Sequence, residues 1–167
     1  MTIVIDVGAA RYGGDYSIER LIEQFEPTEL HAIDPNPALN DSVPEDTKGT
    51  MVHLVHAAAW IHGGLVGYRA DGLNSWLTND PSAPQVACVD LARVINGIAL
   101  EREEPIVLKL DCEGSEYELL DWLIATNVDE LLDVCIVEWH PKSEPAHEAL
   151  SADIAARIRC ELREWPY

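Results

Sequence analysis

The chain has 167 residues, of which 47% are hydrophobic, and this composition predicts one globular domain, residues 1–167, with a sizeable core. Its 30 acidic residues outnumber 11 basic ones, for a formal net charge of -19, so nucleic acid and membrane surfaces are not expected partners. The four cysteines lack the spacing of a zinc site. No apolar run reaches membrane-spanning length, and no leader precedes the first apolar segment. A cytoplasmic location is therefore expected.

The first half of the chain alternates short apolar segments with one amphipathic helix. Ile3–Val7 is a predicted strand, followed by a glycine-containing loop and a helix with Asp15 as its predicted N-cap. A second strand is predicted at residues 30–34, and residues 52–59 form a third apolar run. Residues 63–70, bounded by glycine turn signals, predict an extra short strand or a hairpin.

The second half continues the alternation of helix and strand. Apolar residues at helical spacing predict helices around residues 91–98, 117–124 and 150–162. Between them, Ile106–Leu110 and Val134–Val137 are predicted buried strands. Strands that are apolar throughout and separated by helices predict an α/β fold with a mostly parallel sheet and helices on both faces.

The ends of the first two strands indicate a cofactor that contains a nucleoside. Gly8 and Gly13 lie in the loop before the first helix, where glycine lets the backbone approach a ligand closely. Asp34 ends the second strand, where a carboxylate can accept hydrogen bonds from ribose hydroxyls. A turn-forming role before Pro35 is the alternative for Asp34. The dinucleotide fingerprint GxGxxG is missing.

Acidic side chains crowd the ends of two later strands. Asp111 and Glu113 follow one strand, and Glu138 and His140 follow the next. These groups can serve as a general base for a hydroxyl acceptor or bind a divalent cation, magnesium or manganese, with His140 favouring manganese. Glu116 is expected in the first turn of the following helix, where it would interact favourably with the helix dipole.

Three segments resemble a known enzyme family: IDVGA at residues 5–9, AIDPNP at 32–37 and KLDCEGSEYELL at 109–120. They resemble the FkbM-type methyltransferases, which are class I enzymes that use S-adenosylmethionine. Weaker matches follow the family order at residues 73–77, 89–95 and 137–141. The resemblance implies a Rossmann-like class I methyltransferase fold, from which this chain is expected to depart by lacking the terminal strands 6 and 7. The sheet edge would then be bare, covered by the tail, or paired with a second copy or a partner chain.

The resemblance also implies an activity, O-methylation of a small hydroxylated or sugar-like acceptor with S-adenosylmethionine as cofactor. Gly8 and its neighbours would line the methionine portion of the cofactor, and Asp34 would hold its ribose. The implied cofactor contacts are Asp6, Gly8, Ala9, Ala10, Gly13, Asp34, Pro35, Ala58 and Asp111. The catalytic candidates are Asp111, Glu113 and His140, and the metal-ligand candidates are Asp111, Glu138 and His140.

Two other kinds of function remain open from the sequence. One is a noncatalytic or partner-dependent module with a methyltransferase-like fold. The other is a nicotinamide-dependent oxidoreductase, which would also use a glycine loop and an acidic strand end, although the sequence has neither GxGxxG nor a YxxxK pair.

Overall fold

The computed structural model of the chain describes residues 1–10, 16–71, 74–78, 80–140 and 146–165. The strands are β1 (Ile3–Val7), β2 (Glu29–Ile33), β3 (Met51–Val55), β4 (Ala58–Trp60), β5 (Gly64–Asp71), β6 (Asn74–Thr78), β7 (Gln85–Asp90), β8 (Ile106–Leu110), β9 (Val134–Val137) and β10 (Glu161–Glu164). The α-helices are α1 (Ser17–Phe25), α2 (Leu91–Glu101), α3 (Glu116–Ala125) and α4 (Ala146–Arg157), with 3₁₀ helices at Pro37–Ser42 and Val128–Leu131. No helix in these ranges is both long enough and apolar enough to cross a bilayer.

The main sheet confirms the predicted parallel α/β architecture. In the described residues it has six parallel strands in the order β10-β9-β8-β1-β2-β3. Numbered along the chain within this sheet, the order is 6-5-4-1-2-3, which is compatible with a Rossmann-like fold. The direction of winding reverses between β1 and β8, so the carboxyl ends of these two strands flank the crevice where such sheets bind ligands.

Alternate residues of the central strands pack against helices on opposite faces of the sheet. Val4 belongs to a buried cluster with Leu21 of α1. Ile5, the next residue of β1, belongs to a second cluster with Ile95 of α2 and Leu120 of α3. This alternation explains why apolar residues occupy both faces of the central strands, because both faces of the sheet are covered. The predicted cap of α1, Asp15, lies outside the described residues.

The expectation that strand 6 is absent is wrong, because β10 adds a sixth strand to the main sheet. The predicted helix over residues 150–162 is too long, since α4 ends at Arg157 and Leu162 lies in β10. This strand pairs in parallel with β9, with Leu162 beside Cys135. Leu162 has helical spacing from Ile158, but the segment ELRE presents one apolar side chain among charged ones, which suits an edge strand. In the described part of the chain, this sheet has no seventh strand.

A smaller mixed sheet follows β3 and has the order β4-β7-β5-β6 in the described ranges. The predicted strand or hairpin at residues 63–70 is confirmed, because β5 pairs antiparallel with β6. The sequence did not predict that β7 joins the other side of β5, or that β4 pairs in parallel with β7. Side chains of β5 and β6 contribute to a pocket at the carboxyl edge of the main sheet.

Candidate functional site

A pocket opens at the carboxyl ends of β1, β2, β8 and β9, and its volume, including the open space at its mouth, is about 960 Å³. Most of the site residues predicted from the sequence line it together: Gly8, Ala10, Asp34, Pro35, Ala58, Asp111, Glu113, Glu138 and His140. The mixed sheet adds Tyr68, Trp76 and Leu77 to the lining. The crevice expected at the point where the sheet reverses its winding is therefore present, and the smaller sheet contributes part of its wall.

Two of the predicted cofactor contacts do not line the pocket, and a third is not described by the structure. Asp6 and Ala9 are buried below it, with relative exposures of 0% and 1%. Asp6 faces the buried side chain of Lys109, and Ala9 packs in the core beside α1. The third, Gly13, lies outside the described residues. The structure thus supports roles for Asp6 and Ala9 in building the site rather than in touching a ligand.

Gly8 is required by the backbone of the neighbouring strand. Its φ is +79°, and a Cβ atom at this position would lie 1.6 Å from the carbonyl oxygen of Asp111. The Gly8 amide donates to the Ile33 carbonyl at 3.0 Å, while the Asp111 amide donates to the Val7 carbonyl at 3.0 Å. Glycine at this position therefore lets the ends of β1 and β8 meet closely, a reason that the sequence pattern alone did not distinguish from ligand approach.

Asp34 accepts hydrogen bonds with both carboxylate oxygens. The Ala10 amide donates to Oδ2 at 3.1 Å, and the Asn36 amide donates to Oδ1 at 2.7 Å. The bond from Asn36 is the turn-forming contact expected before Pro35. Burial raises the pKa of Asp34, although the two amides act in the opposite direction. Each carboxylate oxygen has a second lone pair, so Asp34 can also accept a hydrogen bond from a ligand in the pocket.

Lys109 forms a buried ion pair with two carboxylates beneath the pocket. Its side chain is fully buried, and its Nζ lies 3.2 Å from Asp6 Oδ1 and 3.1 Å from Asp111 Oδ2. The Ser17 hydroxyl donates to the other oxygen of Asp6 at 2.7 Å. Burial acts to lower the pKa of Lys109, but the charges of Asp6 and Asp111 outweigh it and the pKa is raised. Lys109 is therefore an ammonium ion that fixes Asp111 at the floor of the pocket.

His140 is surrounded by four carboxylates. Its Nδ1 lies 2.9 Å from Glu116 Oε1, and its Nε2 lies 3.6 Å from Glu138 Oε1. The same Nε2 lies 3.8 Å from both Asp111 Oδ1 and Glu113 Oε2. This arrangement fixes one ring nitrogen by a short hydrogen bond and directs the other toward the acidic side chains of the pocket.

Glu116 has a positioning role that the sequence did not predict. It is the first residue of α3, as expected, but its side chain is fully buried. Its Oε1 accepts a hydrogen bond from the Cys112 amide at 2.8 Å while it contacts His140. The only hint in the sequence is the spacing of the acidic residues in DCEGSE, which places one carboxylate at the start of a helix and beside the strand end.

The carboxylates control the protonation of His140. Burial alone would lower the pKa of His140, but Glu116, Glu113 and Asp111 raise it to about 9. The imidazole is therefore protonated at pH 7 unless a cation displaces the proton, which weakens the case for His140 as a general base. Burial raises the pKa of Glu113, a partly exposed carboxylate in a left-handed backbone conformation, which makes Glu113 the better base among these groups.

Asp111, Glu138 and His140 also form a candidate metal centre, as predicted. Each offers a ligand atom, and the three atoms lie within 4.8 Å of one another. Two carboxylates and one imidazole suit magnesium or manganese, and the hydrogen bond that His140 donates to Glu116 would hold the ring in place for coordination. The donor set therefore fits a divalent cation.

Comparison with protein-family models, with curated proteins and with solved structures gives no match for this chain. The resemblance to FkbM-type methyltransferases therefore stays a prediction that rests on its residues. The chemistry of the pocket is the remaining guide to function.

Proposed function

We propose that this protein is an S-adenosylmethionine-dependent methyltransferase that methylates a hydroxyl group of a small hydroxylated or sugar-like acceptor. The observation that carries the proposal is the charge of the pocket. Among the described residues, its ionisable lining consists of the carboxylates Asp34, Asp111, Glu113 and Glu138, together with Cys112, Tyr68 and His140. The sulfonium and ammonium groups of S-adenosylmethionine are complementary to such a lining, whereas the diphosphate of a dinucleotide would face like charges.

The lining of the pocket is also suited to a nucleoside. Asp34 is in position to accept hydrogen bonds from the ribose, and Ile33, Pro35 and Ala58 offer apolar surface beside it. Trp76, on the mixed sheet, adds aromatic surface to the wall.

S-adenosylmethionine supplies an electrophilic methyl group when it is bound. The chain must then place the acceptor oxygen in line with that group, exclude water and receive the proton of the hydroxyl. We assign the proton to Glu113, because Asp111 is already paired with Lys109 and His140 is protonated. If magnesium or manganese is used, Asp111, Glu138 and His140 would hold it, and it would lower the pKa of the acceptor hydroxyl.

Two alternatives have specific support and are separated by the same experiment. The strand order of the main sheet is also that of dinucleotide-binding folds, which favours a nicotinamide-dependent oxidoreductase. A partner-dependent module would bind the cofactor but transfer no methyl group alone. One motive for that alternative is weakened, because β10 pairs with β9 and supplies a sixth strand, although the described part of the sheet has no seventh.

The test is calorimetric binding of S-adenosylmethionine, S-adenosylhomocysteine, NAD and NADP to the purified chain. We expect S-adenosylmethionine to bind, and Asp34→Asn to weaken it by about 10- to 100-fold, the usual effect of losing a charged hydrogen-bond partner. Asp41→Asn, which changes an exposed carboxylate of the nearby 3₁₀ helix, is the matched control and should bind normally.

The outcomes separate the candidates. Binding of NAD or NADP without S-adenosylmethionine would support the oxidoreductase, and binding of none of these ligands would refute the proposed cofactor. Transfer of a labelled methyl group to a panel of hydroxylated acceptors, with manganese and then with a chelator, tests the reaction and its metal requirement. Cofactor binding without transfer to any acceptor would favour the partner-dependent module.

A further inference from the structure

A second group of metal-ligand side chains lies outside the pocket, on β2 and β3. His31 of β2 is the direct neighbour of His53 of β3, and their rings are stacked with centroids 4.6 Å apart and an interplanar angle of 16°. Glu29 precedes His31 by two residues in the same strand, so its side chain lies on the same face of the sheet. The register of two parallel strands therefore places one carboxylate beside two imidazoles.

The separations between these side chains suit one shared ion. Glu29 Oε2 lies 3.6 Å from His31 Nε2 and 3.5 Å from His53 Nε2, and the three atoms lie within 4.8 Å of one another. A tetrahedral zinc ion with bonds of about 2.0–2.1 Å separates its ligand atoms by roughly 3.3 Å. Small side-chain adjustments would thus bring all three atoms to coordinating distance.

The two histidine nitrogens that face Glu29 lack the hydrogen bonds that buried nitrogens normally make. In the described part of the chain, the Nε2 atoms of His31 and His53 are both buried without a hydrogen-bond partner. Buried polar atoms in native proteins are nearly always paired, so two unpaired nitrogens aimed at one carboxylate oxygen call for a ligand.

The surroundings hold the carboxylate in place and favour a cation. The guanidinium of Arg102 donates to Glu29 Oε1 at 3.2 and 2.8 Å, which leaves Oε2 for the histidines. Contacts of this kind orient metal ligands in known sites. Glu101, Glu103 and Glu104 line the adjoining cleft with Arg102 and Glu29, so the formal charge of the cleft is negative among the described residues.

We propose that Glu29, His31 and His53 bind one zinc ion, with the fourth position open to water. One glutamate and two histidines form a known zinc ligand set, and neutral imidazole is a common zinc ligand. The ion would join the edge strand β3 to β2. The proposal is independent of the methyltransferase proposal, because none of its three ligands lines the pocket.

The test uses zinc and cobalt as probes on the full chain. Zinc is followed by calorimetry, and cobalt by the visible absorption that distinguishes four-coordinate from six-coordinate sites. We expect His53→Ala to remove one equivalent of tightly bound zinc, with an affinity loss of about 100-fold for that site. His53 is suited to the test because its side chain is 40% exposed, so the variant should fold. His31→Gln is the second variant and should give the same loss.

His56→Ala is the matched control, since His56 is exposed just after β3 and belongs to neither ligand group. It should retain the full zinc stoichiometry. Because Asp111, Glu138 and His140 can also bind a cation, the measurements are repeated with His140→Ala, which should leave one equivalent that His53→Ala then removes. Zinc should also raise the melting temperature of the His140→Ala protein. Equal zinc affinity with and without His53, or no four-coordinate cobalt spectrum, would overturn the proposal and leave the histidines as a packed pair.

Discussion

At the scale of single residues, the pocket depends on charges that are largely hidden from solvent. Lys109, Asp6 and Asp111 form one connected group in which only Asp111 reaches the pocket. Taking three charges out of water is costly, and the group is stable only because each charge has an opposite neighbour. Removing the central ammonium would leave Asp6 buried without its counter-ion, so Lys109 is a stability determinant of the site.

Lys109→Met should lower the free energy of unfolding by about 3–5 kcal/mol at pH 7, because it removes one partner of a buried ion pair and leaves the other charge buried. Lys48→Met is the control, since Lys48 pairs with Glu23 at the surface, where both side chains are more than half exposed. The control should cost no more than about 1 kcal/mol. Urea denaturation of both variants measures the difference. Equal losses would mean that the buried pair adds nothing beyond an ordinary surface contact.

The state of His140 depends on a residue that is itself hidden. Glu116 is fully buried and makes the shortest contact of the four carboxylates around the ring. It holds the ring through Nδ1 and leaves Nε2 for the pocket. A folded-state pKa of about 9, above the ordinary 6.5, means that the protonated ring stabilises the fold. This stabilisation is complete below pH 6.5 and is lost as the pH rises through 9.

Glu116→Gln should lower the pKa of His140 by at least about one pH unit, since it removes the hydrogen-bonded carboxylate that contributes most to raising it. The titration of the His140 ring is measured by NMR in the presence of a chelator. The stability advantage of the unaltered chain over the variant should be largest below pH 6.5 and should shrink toward pH 9. Glu118→Gln removes a charge from the same helical turn and should leave the titration in place. An unchanged pKa in Glu116→Gln would refute the assigned cause.

At the scale of elements, the last strand and the residue after it complete one side of the sheet. Trp165 directly follows β10 and is 4% exposed, in the cluster that packs on α1. Its ring lies 4.4 Å from the guanidinium carbon of Arg20 and 5.5 Å from Lys109 Nζ. The end of the described chain therefore reaches the same buried lysine that supports the pocket floor.

Trp165→Ala should destabilise the protein by about 3–5 kcal/mol, the usual cost of removing a buried tryptophan side chain. Trp76→Ala is the paired comparison, because Trp76 is 38% exposed and should cost less than about 1 kcal/mol. Thermal and urea unfolding of both variants provide the measurement. A small effect for Trp165→Ala would show that β10 and the following residue are not needed to close the core.

The sequence predicted those elements whose pattern is fully local. The strands β1, β8 and β9 are buried along their whole length and mostly apolar, and their carboxyl ends must meet at one edge of a parallel sheet. For this reason the sequence pattern alone places Asp111, Glu138 and His140 together. The turn at Asp34 was likewise predictable, because a proline directly follows this residue.

The features that the sequence did not predict depend on neighbours distant in the chain. β10 is a short, mostly charged edge strand whose one core-facing leucine also fits a helical period. The hydrogen bond between Glu116 and His140 joins residues 24 positions apart. The group on β2 and β3 appears only when the strand register places His31 beside His53. Such contacts are set by tertiary packing and leave no periodic signal.

At the scale of the whole molecule, the acidic balance acts on binding more than on the fold. A formal charge of -19 creates a negative field, and the carboxylates of the pocket add to it locally. Dissolved salt screens this field, since the Debye length falls from about 30 Å at 0.01 M salt to about 8 Å at 0.15 M. The affinity for a ligand with a positive charge on its reacting atom should therefore fall more with added salt than the affinity for an analogue that lacks this charge.

This difference gives a prediction for the proposed cofactor. S-adenosylmethionine carries the sulfonium charge and S-adenosylhomocysteine does not. Raising the salt concentration from about 0.01 M to 0.15 M should therefore reduce the affinity for S-adenosylmethionine several-fold more than the affinity for S-adenosylhomocysteine. Calorimetric titrations at the two salt concentrations measure both affinities. Glu113→Gln should reduce the difference, because it removes one carboxylate from the pocket lining. Equal salt dependence for the two ligands would mean that the carboxylates do not face the sulfonium, and the acidic lining would then have to serve the acceptor or a metal ion instead.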